Sequence, residues 1–371
     1  MSTKPNLNTL ASEGPAGTDL LDAAGQPHTT GHRARLASSG PGRGVWLVLL
    51  LLLLGLTVLI SLAVGSRPIP LATALNTILD PGFDSPEAQV IRELRLPRTL
   101  LGILAGLALG VAGALIQALT RNPLADPGIL GVNAGAQFLL VIASVAFGSI
   151  SVLASIWWAL AGAAIATLAV YGLSLSQRGR TADPATLVLA GMSFGAVLSG
   201  VSTALMLLSP TTFDLMRIWG GGYLSGQTTQ TVLGMAPFIL VGLLLALACA
   251  GSLNAIGLGD RAARALGVRL GLVRCVVIAS VTLLCGTATA LAGPIGFVGL
   301  MVPHVARWLF GVQQGWILAM TCVMSPILLL AADIAGRLVV PGSELAAVIV
   351  TSFIGAPVLI NLARRKNAST L

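Results

Sequence analysis

Ten stretches of this chain are so apolar that only a lipid bilayer can house them together. They lie near residues 45–65, 99–119, 129–147, 152–175, 186–208, 231–250, 271–292, 296–311, 317–336 and 344–363. A helix needs about 20 apolar residues to cross roughly 30 Å of hydrocarbon, and most of these stretches reach that length. The third and eighth are shorter or interrupted by Gly and Pro. Charged residues make up 9% of the chain, against roughly 25% in a soluble domain. A soluble core cannot absorb this much apolar surface. The pattern predicts an all-α integral membrane protein of about ten transmembrane helices. The first apolar run begins at Val45, too far along for an ordinary cleaved signal peptide, and is expected to stay as the first helix. Residues 1–43 are polar and rich in Gly, Ser, Thr, Pro and Ala; they read as a disordered cytoplasmic tail. Residues 44–371 form the membrane domain.

An even number of spans puts both termini on one side. With that side inside, fifteen of the 21 Lys and Arg fall in the tail, the inner connections and helix ends, and the C-terminus. Six fall outside: Arg67, Arg92, Arg95, Arg98, Arg217 and Arg337. Basic residues stay on the cytoplasmic side of a membrane, so both termini of this multi-pass protein are expected in the cytoplasm, below the plasma membrane. The net charge of +8 therefore reflects topology and not nucleic-acid binding; no basic run interleaves with aromatics.

Several chemistries are excluded. Cys249, Cys275, Cys285 and Cys322 stand singly in apolar segments without metal-ligand spacing and read as small buried hydrophobes. The only lysines are Lys4 and Lys366, so there is no G-x-x-x-x-G-K-[ST] phosphate loop. Asp126, Asp214, Asp333 and Glu344 fall at segment ends or in connections, whereas ion-driven carriers keep ionisable groups at mid-membrane. No Ser/His/Asp or paired-carboxylate arrangement suggests catalysis. No catalytic residue, cofactor or resident metal is expected. The chain offers a pathway without an engine.

Three blocks carry the sequence's most specific signal. The first is Arg95-Leu-Pro-Arg98, then Gly113-Ala-Leu-Ile-Gln117, then Arg121-Asn-Pro-Leu-Ala-Asp-Pro-Gly-Ile-Leu-Gly131. The second is Gly293-Pro-Ile-Gly-Phe-Val-Gly-Leu-Met-Val-Pro-His-Val-Ala-Arg307. The third joins Asp333, Arg337, Glu344-Leu345 and Ile354-Gly-Ala-Pro357. Proline stops a helix, and irregular backbone survives in a membrane only where protein or water surrounds it. By these rules Asn122 to Pro127 is either a plain inner turn or part of a pathway. The lone His304 reads as a structural group. Ser252 to Gly271 is an inner loop in which Asp260 can cap a short helix and Gly267 can end it left-handed. Ala262, Ala263 and Leu266 there make a small apolar face, suited equally to lipid or to a protein. Glycines at 102, 106, 110 and 113, and at 191, 195 and 200, read as close helix packing.

Over residues 45–366, in order and spacing, these blocks resemble the iron-chelate and vitamin B12 permeases of ABC importers, the FecCD family. The resemblance implies a type II importer permease, as a homodimer or a heterodimer with a close relative. It implies two cytoplasmic ATPase subunits and one extracytoplasmic substrate-binding protein as partners. The cargo would be a ferric siderophore first, then haem or cobalamin. It implies that the Ser252–Gly271 loop seats in the ATPase, with Leu258, Gly259, Asp260, Ala263, Leu266 and Gly267 as its contacts. It implies docking of the binding protein on Arg95, Arg98 and Arg337, with Arg92 beside them. A translocation path follows along Asn122, Pro123, Gly191, Ser193, Gly195, Ser199 and Gly200, with the segment Thr211–Gly222. Two departures stand out. Glu344-Leu-Ala-Ala-Val348 replaces the family's Glu-Leu-Pro-x-Gly, and Val312-Gln-Gln-Gly-Trp316 replaces a charged stretch. Rival classes are a self-contained secondary transporter with broken helices, opposed by the missing intramembrane carboxylates, and a structural or receptor protein, which leaves the inner loop unexplained.

Overall fold

The computed structural model describes residues 40–65, 68–80, 82–175, 184–339 and 344–364. Residues 1–39 of the expected tail, with Arg67, Arg178, Arg180, Arg365 and Lys366, lie outside them. Among the described residues every regular element is a helix. Each apolar segment holds one: α1 (Gly40–Ala63), α4 (Leu96–Thr120), α5 (Val132–Phe147), α6 (Val152–Leu175), α7 (Pro184–Leu208), α9 (Thr229–Gly257), α11 (Leu270–Ala292), α12 (Val298–Phe310), α13 (Gln314–Val339) and α14 (Ala347–Arg364). Seven helices are long and apolar enough to cross a membrane; α5, α12 and α14 offer shorter apolar runs.

Short helices fill the connections: α2 (Leu71–Leu79), α3 (Pro86–Val90), α8 (Pro210–Trp219) and α10 (Asp260–Ala265). Of these only α10 was foreseen as a helix. Ala74 of α2 packs with Leu62, Ile69 and Ile91 in a small apolar cluster. The Ser85 hydroxyl caps α3 by accepting from the Ala88 N–H at 3.0 Å, a typical N-cap bond. A π-helical turn, Ile91–Arg95, then joins α3 to α4. Such turns widen a helix locally; here the turn lies where Arg95 points into the bundle.

The most enclosed helices are α4 and α11, while α1 and α7 show most of their surface. Leu101, Ala105, Ala108, Ala112 and Leu115 of α4 are buried. Small residues let backbones touch where no hydrophobic force separates protein from lipid: a Cβ at Gly106 would press on the Pro326 backbone of α13, and one at Gly113 on Gly299 of α12.

Side-chain bonds sort the helix ends into two groups. At one end Arg43 of α1 donates to Gln313 Oε1 at 3.2 Å, and Asn254 Oδ1 of α9 accepts from Gln314 N of α13 at 2.8 Å. Arg121, after α4, reaches Asp260 of α10 at this same end. At the other end Arg98 meets Asp333 of α13 and Glu344. From there α14 runs back toward the first end.

Candidate functional site

The two Gly/Pro-rich blocks meet inside the bundle. At about 1.5 Å per residue, α5 with 16 residues and α12 with 13 span roughly 24 and 20 Å, short of the hydrocarbon thickness. Each is completed by irregular chain, 121–131 before α5 and 293–297 before α12. Arg121 turns the chain out of α4 in a left-handed conformation, φ +51°. Asn122 Oδ1 then accepts from Leu124 N at 2.9 Å, and Asp126 Oδ1 from Gly128 N at 2.8 Å, so the segment satisfies its own backbone donors. A 3-10 turn, Pro127–Leu130, leads into α5. Gly299 stands between the Pro127 ring and the Leu109 carbonyl, at the middle of α4. The segment therefore folds back along α4, and is more than a turn at its end.

Gln117 secures this contact. Pro303 has no N–H to give to the Gly299 carbonyl four residues earlier. Gln117 Nε2 donates instead, to Gly299 O at 3.3 Å and Leu300 O at 3.0 Å, while its Oε1 accepts from Arg307 at 3.4 Å. The sequence offered a signal for this pairing, a glutamine and a mid-helix proline in adjacent motif blocks. His304 follows Pro303 and is half-buried.

The loop from α9 to α11 departs from expectation in two details. Gly259, at φ +104°, caps α10. Asp260 is the first helical residue, and its carboxylate takes Arg274 of α11 at 2.7 Å and Arg121 at 3.6 Å. The expected apolar face of Ala262, Ala263 and Leu266 is also divided: Ala263 is fully buried and Ala262 half-buried, while Leu266 projects at 64% exposure, as does Leu258 before α10 at 71%. Gly267 ends the turn at φ +82°, as its place in the sequence suggested. α10 is thus flanked by two projecting leucines and sits on a base fixed by two arginines.

At the opposite end the arginines do gather, but inward. Arg95, Arg98 and Arg337 are each 7% exposed, so these three side chains are buried in the bundle rather than spread on an open face. Arg98 grips Asp333 at 2.7 Å and Glu344 at 2.7 Å. Arg337 also pairs with Asp333 and donates to Ser61 O at 2.8 Å and Val64 O at 3.0 Å. Arg95 Nη1 donates to Leu62 O and Ala63 O, both at 2.7 Å. The last carbonyls of a helix have no partners within it; these two arginines supply them for α1. Arg92 serves α2 similarly, donating to Asp80 O at 3.1 Å. The need to close helix ends gives these cations a structural role whichever side of the membrane they face. Asp333, read from sequence at a segment end, lies within α13 at 1% exposure.

Of the path residues, Asn122, Ser193 and Gly200 are exposed, and Pro123, Gly195 and Ser199 half-buried. Gly191 is buried, where a Cβ would overlap the Ile129 carbonyl. It seats α7 on the 3-10 turn and does not line a surface. Gly293 packs on the Trp219 carbonyl at the end of α8, bringing Thr211–Gly222 to the second irregular segment. Among the described residues no group of three His, Cys, Asp or Glu side chains could hold a metal ion.

Comparison with known proteins agrees with this architecture. Residues 51–365 match the model of the FecCD transport family. The ferric enterobactin transport system permease protein FepD of Escherichia coli (strain K12) is 45% identical over 317 residues, covering 85% of this chain and 94% of its own. The Fe(3+)-citrate import system permease protein YfmD of Bacillus subtilis (strain 168) is 39% identical over 335 residues, 90% of this chain and 98% of its own. A solved structure of a transporter assigned to the metal-chelate ABC type, in an inward-facing conformation, superposes with a TM-score of 0.76 at 28% identity, over 86% of this chain and 99% of that one.

Proposed function

The chain belongs to the FecCD transport family, and from that premise we propose that its cargo is a ferric siderophore or a similar metal chelate. It is an all-α permease of an ABC importer, with about ten membrane helices. The relatives' names favour ferric chelates; haem and cobalamin are the alternatives. Two such permease chains form the pathway, two separate ATPase subunits dock on the α10 end, and a binding protein docks on the arginine end. The fifteen-to-six distribution of basic residues puts the α10 end and both termini in the cytoplasm. The exposed side of α7, with Ser193, Ser199 and Gly200, lines the path, and Asn122 and Pro123 mark its inner end.

One observation carries the energetic part of this reading. The chain has no phosphate loop, and the α10 loop presents Leu258 and Leu266, one at each end of α10, on a base held by Arg121 and Arg274. Such a knob suits a protein socket that moves on ATP hydrolysis. Replacing Gly267 by Val puts a β-branched side chain at φ +82°, a conformation it strongly disfavours. Replacing Leu266 by Asp puts a charge into the contact. Both variants should insert into membranes. In proteoliposomes holding permease, ATPase and binding protein, ferric-chelate uptake should fall by about tenfold or more, the loss expected when a coupling of over 1.4 kcal/mol is removed. ATP hydrolysis should lose its response to the binding protein. Normal uptake and hydrolysis in both variants would exclude this loop as the coupling element.

Docking of the binding protein on Arg95, Arg98 and Arg337 proceeds by exchange. Arg98 and Arg337 pair with the carboxylates Asp333 and Glu344, and Arg95 beside Arg337 leaves the cluster with one positive charge. Glu344 is the exposed member, so a partner carboxylate can take its place on Arg98, with Arg92 at the rim. Glu344→Gln should therefore tighten binding-protein docking by about two- to fivefold, the range of an exposed ion pair, with the gain shrinking at high salt. Weaker or unchanged affinity, measured on nanodisc-embedded permease, would reject exchange.

A further inference from the structure

We infer that Arg121 is a positioning residue that conveys movement of α10 to the irregular segment 121–131. The inference rests on the reading of the α9–α11 loop as the coupling element. Asp260 has two unlike arms. Its Oδ2 is held by Arg274 at 2.7 Å, fixing α10 to α11. Its Oδ1 is buried without a hydrogen bond and faces Arg121 Nη2 at 3.6 Å. That is an ion pair longer than a hydrogen bond, where a small shift of α10 makes or loses a strong charge-assisted contact.

Arg121 stands where such a shift matters most. It holds the left-handed turn at which α4 ends, with its N–H on Gln117 O. The chain beyond it reaches Pro127 against Gly299 and Ile129 against Gly191. A pull on Arg121 acts on the start of a segment that touches α4, α7 and α12, with Gln117 as the link to α12. α10 otherwise packs on its neighbours α9 and α11. The Arg121 arm thus joins α10 to the irregular segment that leads into α5. The two inner loops, separate in sequence, work as one lever.

Arg121→Asn keeps a residue tolerant of positive φ and removes the charge; Arg121→Glu makes the arm repulsive; Arg121→Lys keeps the charge. In proteoliposomes with ATPase and binding protein, the ratio of chelate imported to ATP hydrolysed should fall by about tenfold in Arg121→Asn and further in Arg121→Glu, with Arg121→Lys recovering most of it. The ATPase subunit should still co-purify with each. A residue that only holds the fold together would lower uptake and hydrolysis alike and leave the ratio unmoved; that result, or a normal ratio in Arg121→Asn, overturns the inference. Should Arg121→Glu fail to insert, the Asn and Lys pair decides. Leu258→Asp in parallel separates the two levels. Loss of ATPase co-purification there with a normal Arg121→Asn ratio rejects the lever alone, while normal co-purification and uptake in Leu258→Asp rejects the coupling loop itself.

Discussion

Asp333→Asn should destabilise the protein more than any other single change at the arginine end. It removes the negative charge that Arg98 and Arg337 share and leaves two guanidinium groups facing each other, with Arg95 near by. Breaking a buried ion pair by removing one partner costs about 3–5 kcal/mol, because the other charge stays buried and uncompensated; here Arg98 keeps Glu344, and Arg337 is the charge left without its carboxylate. The damage spreads, since Arg337 held by Asp333 also closes the α1 carbonyls of Ser61 and Val64. A detergent-solubilised variant should lose its monodisperse size-exclusion peak at markedly lower temperature, and yield should drop. Replacing Arg98 by Met along with Asp333→Leu should recover part of the loss, as apolar replacement of both partners often does. Recovery should stay incomplete because Arg337 keeps its charge. An Asp333→Asn melting temperature equal to that of the unaltered protein would mean the cluster contributes little.

Gly113→Val should be the second severe change. A Cβ there falls well inside contact distance of the Gly299 carbonyl. The obstacle is backbone, which cannot rotate away as a side-chain tip can. The cost should exceed the about 1–3 kcal/mol usual for overpacked side chains. As α12 moves off, the Gln117 bonds to Gly299 and Leu300 stretch too. Gly200→Ala in α7 is the control: nothing lies within 4 Å of the added methyl, and helix propensity favours it by about 0.5–1 kcal/mol. Comparable melting of the two variants would show that the close crossing of α4 and α12 matters little to stability.

The two glycines show what the sequence could and could not tell. Spacing marks both as helix-packing positions, yet only one touches another backbone, because contact depends on which side of the helix a neighbour occupies. Helix identity was legible throughout, since twenty-residue apolar runs in a membrane leave the backbone few options. The short α5 and α12 were legible as short segments, but their junction was not, because nothing local marks Pro127 as the neighbour of Gly299. The outer arginines were legible as a group with a purpose. Their inward direction was hidden: Arg98 and Asp333 lie far apart in the chain, and α1's carbonyl needs arise only on folding. Asp333 and Arg337 sit four residues apart, so that half of the cluster was readable from helical spacing alone. The division of the α10 face escaped because six residues are too few for periodicity to assign a buried side.

The bond from Gln117 to the carbonyl that Pro303 leaves unserved also bears on how this sequence can drift. A proline at 303 is tolerable because a side-chain amide in another helix does the work of the lost N–H. The two positions are therefore energetically coupled. Loss of the glutamine first strands a buried acceptor; loss of the proline first makes the glutamine dispensable to that carbonyl, since an ordinary residue at 303 supplies its own donor. Of the two orders of replacement, only the one that begins at Pro303 keeps the Gly299 carbonyl served along the way, and a double-mutant cycle would register the difference as non-additivity.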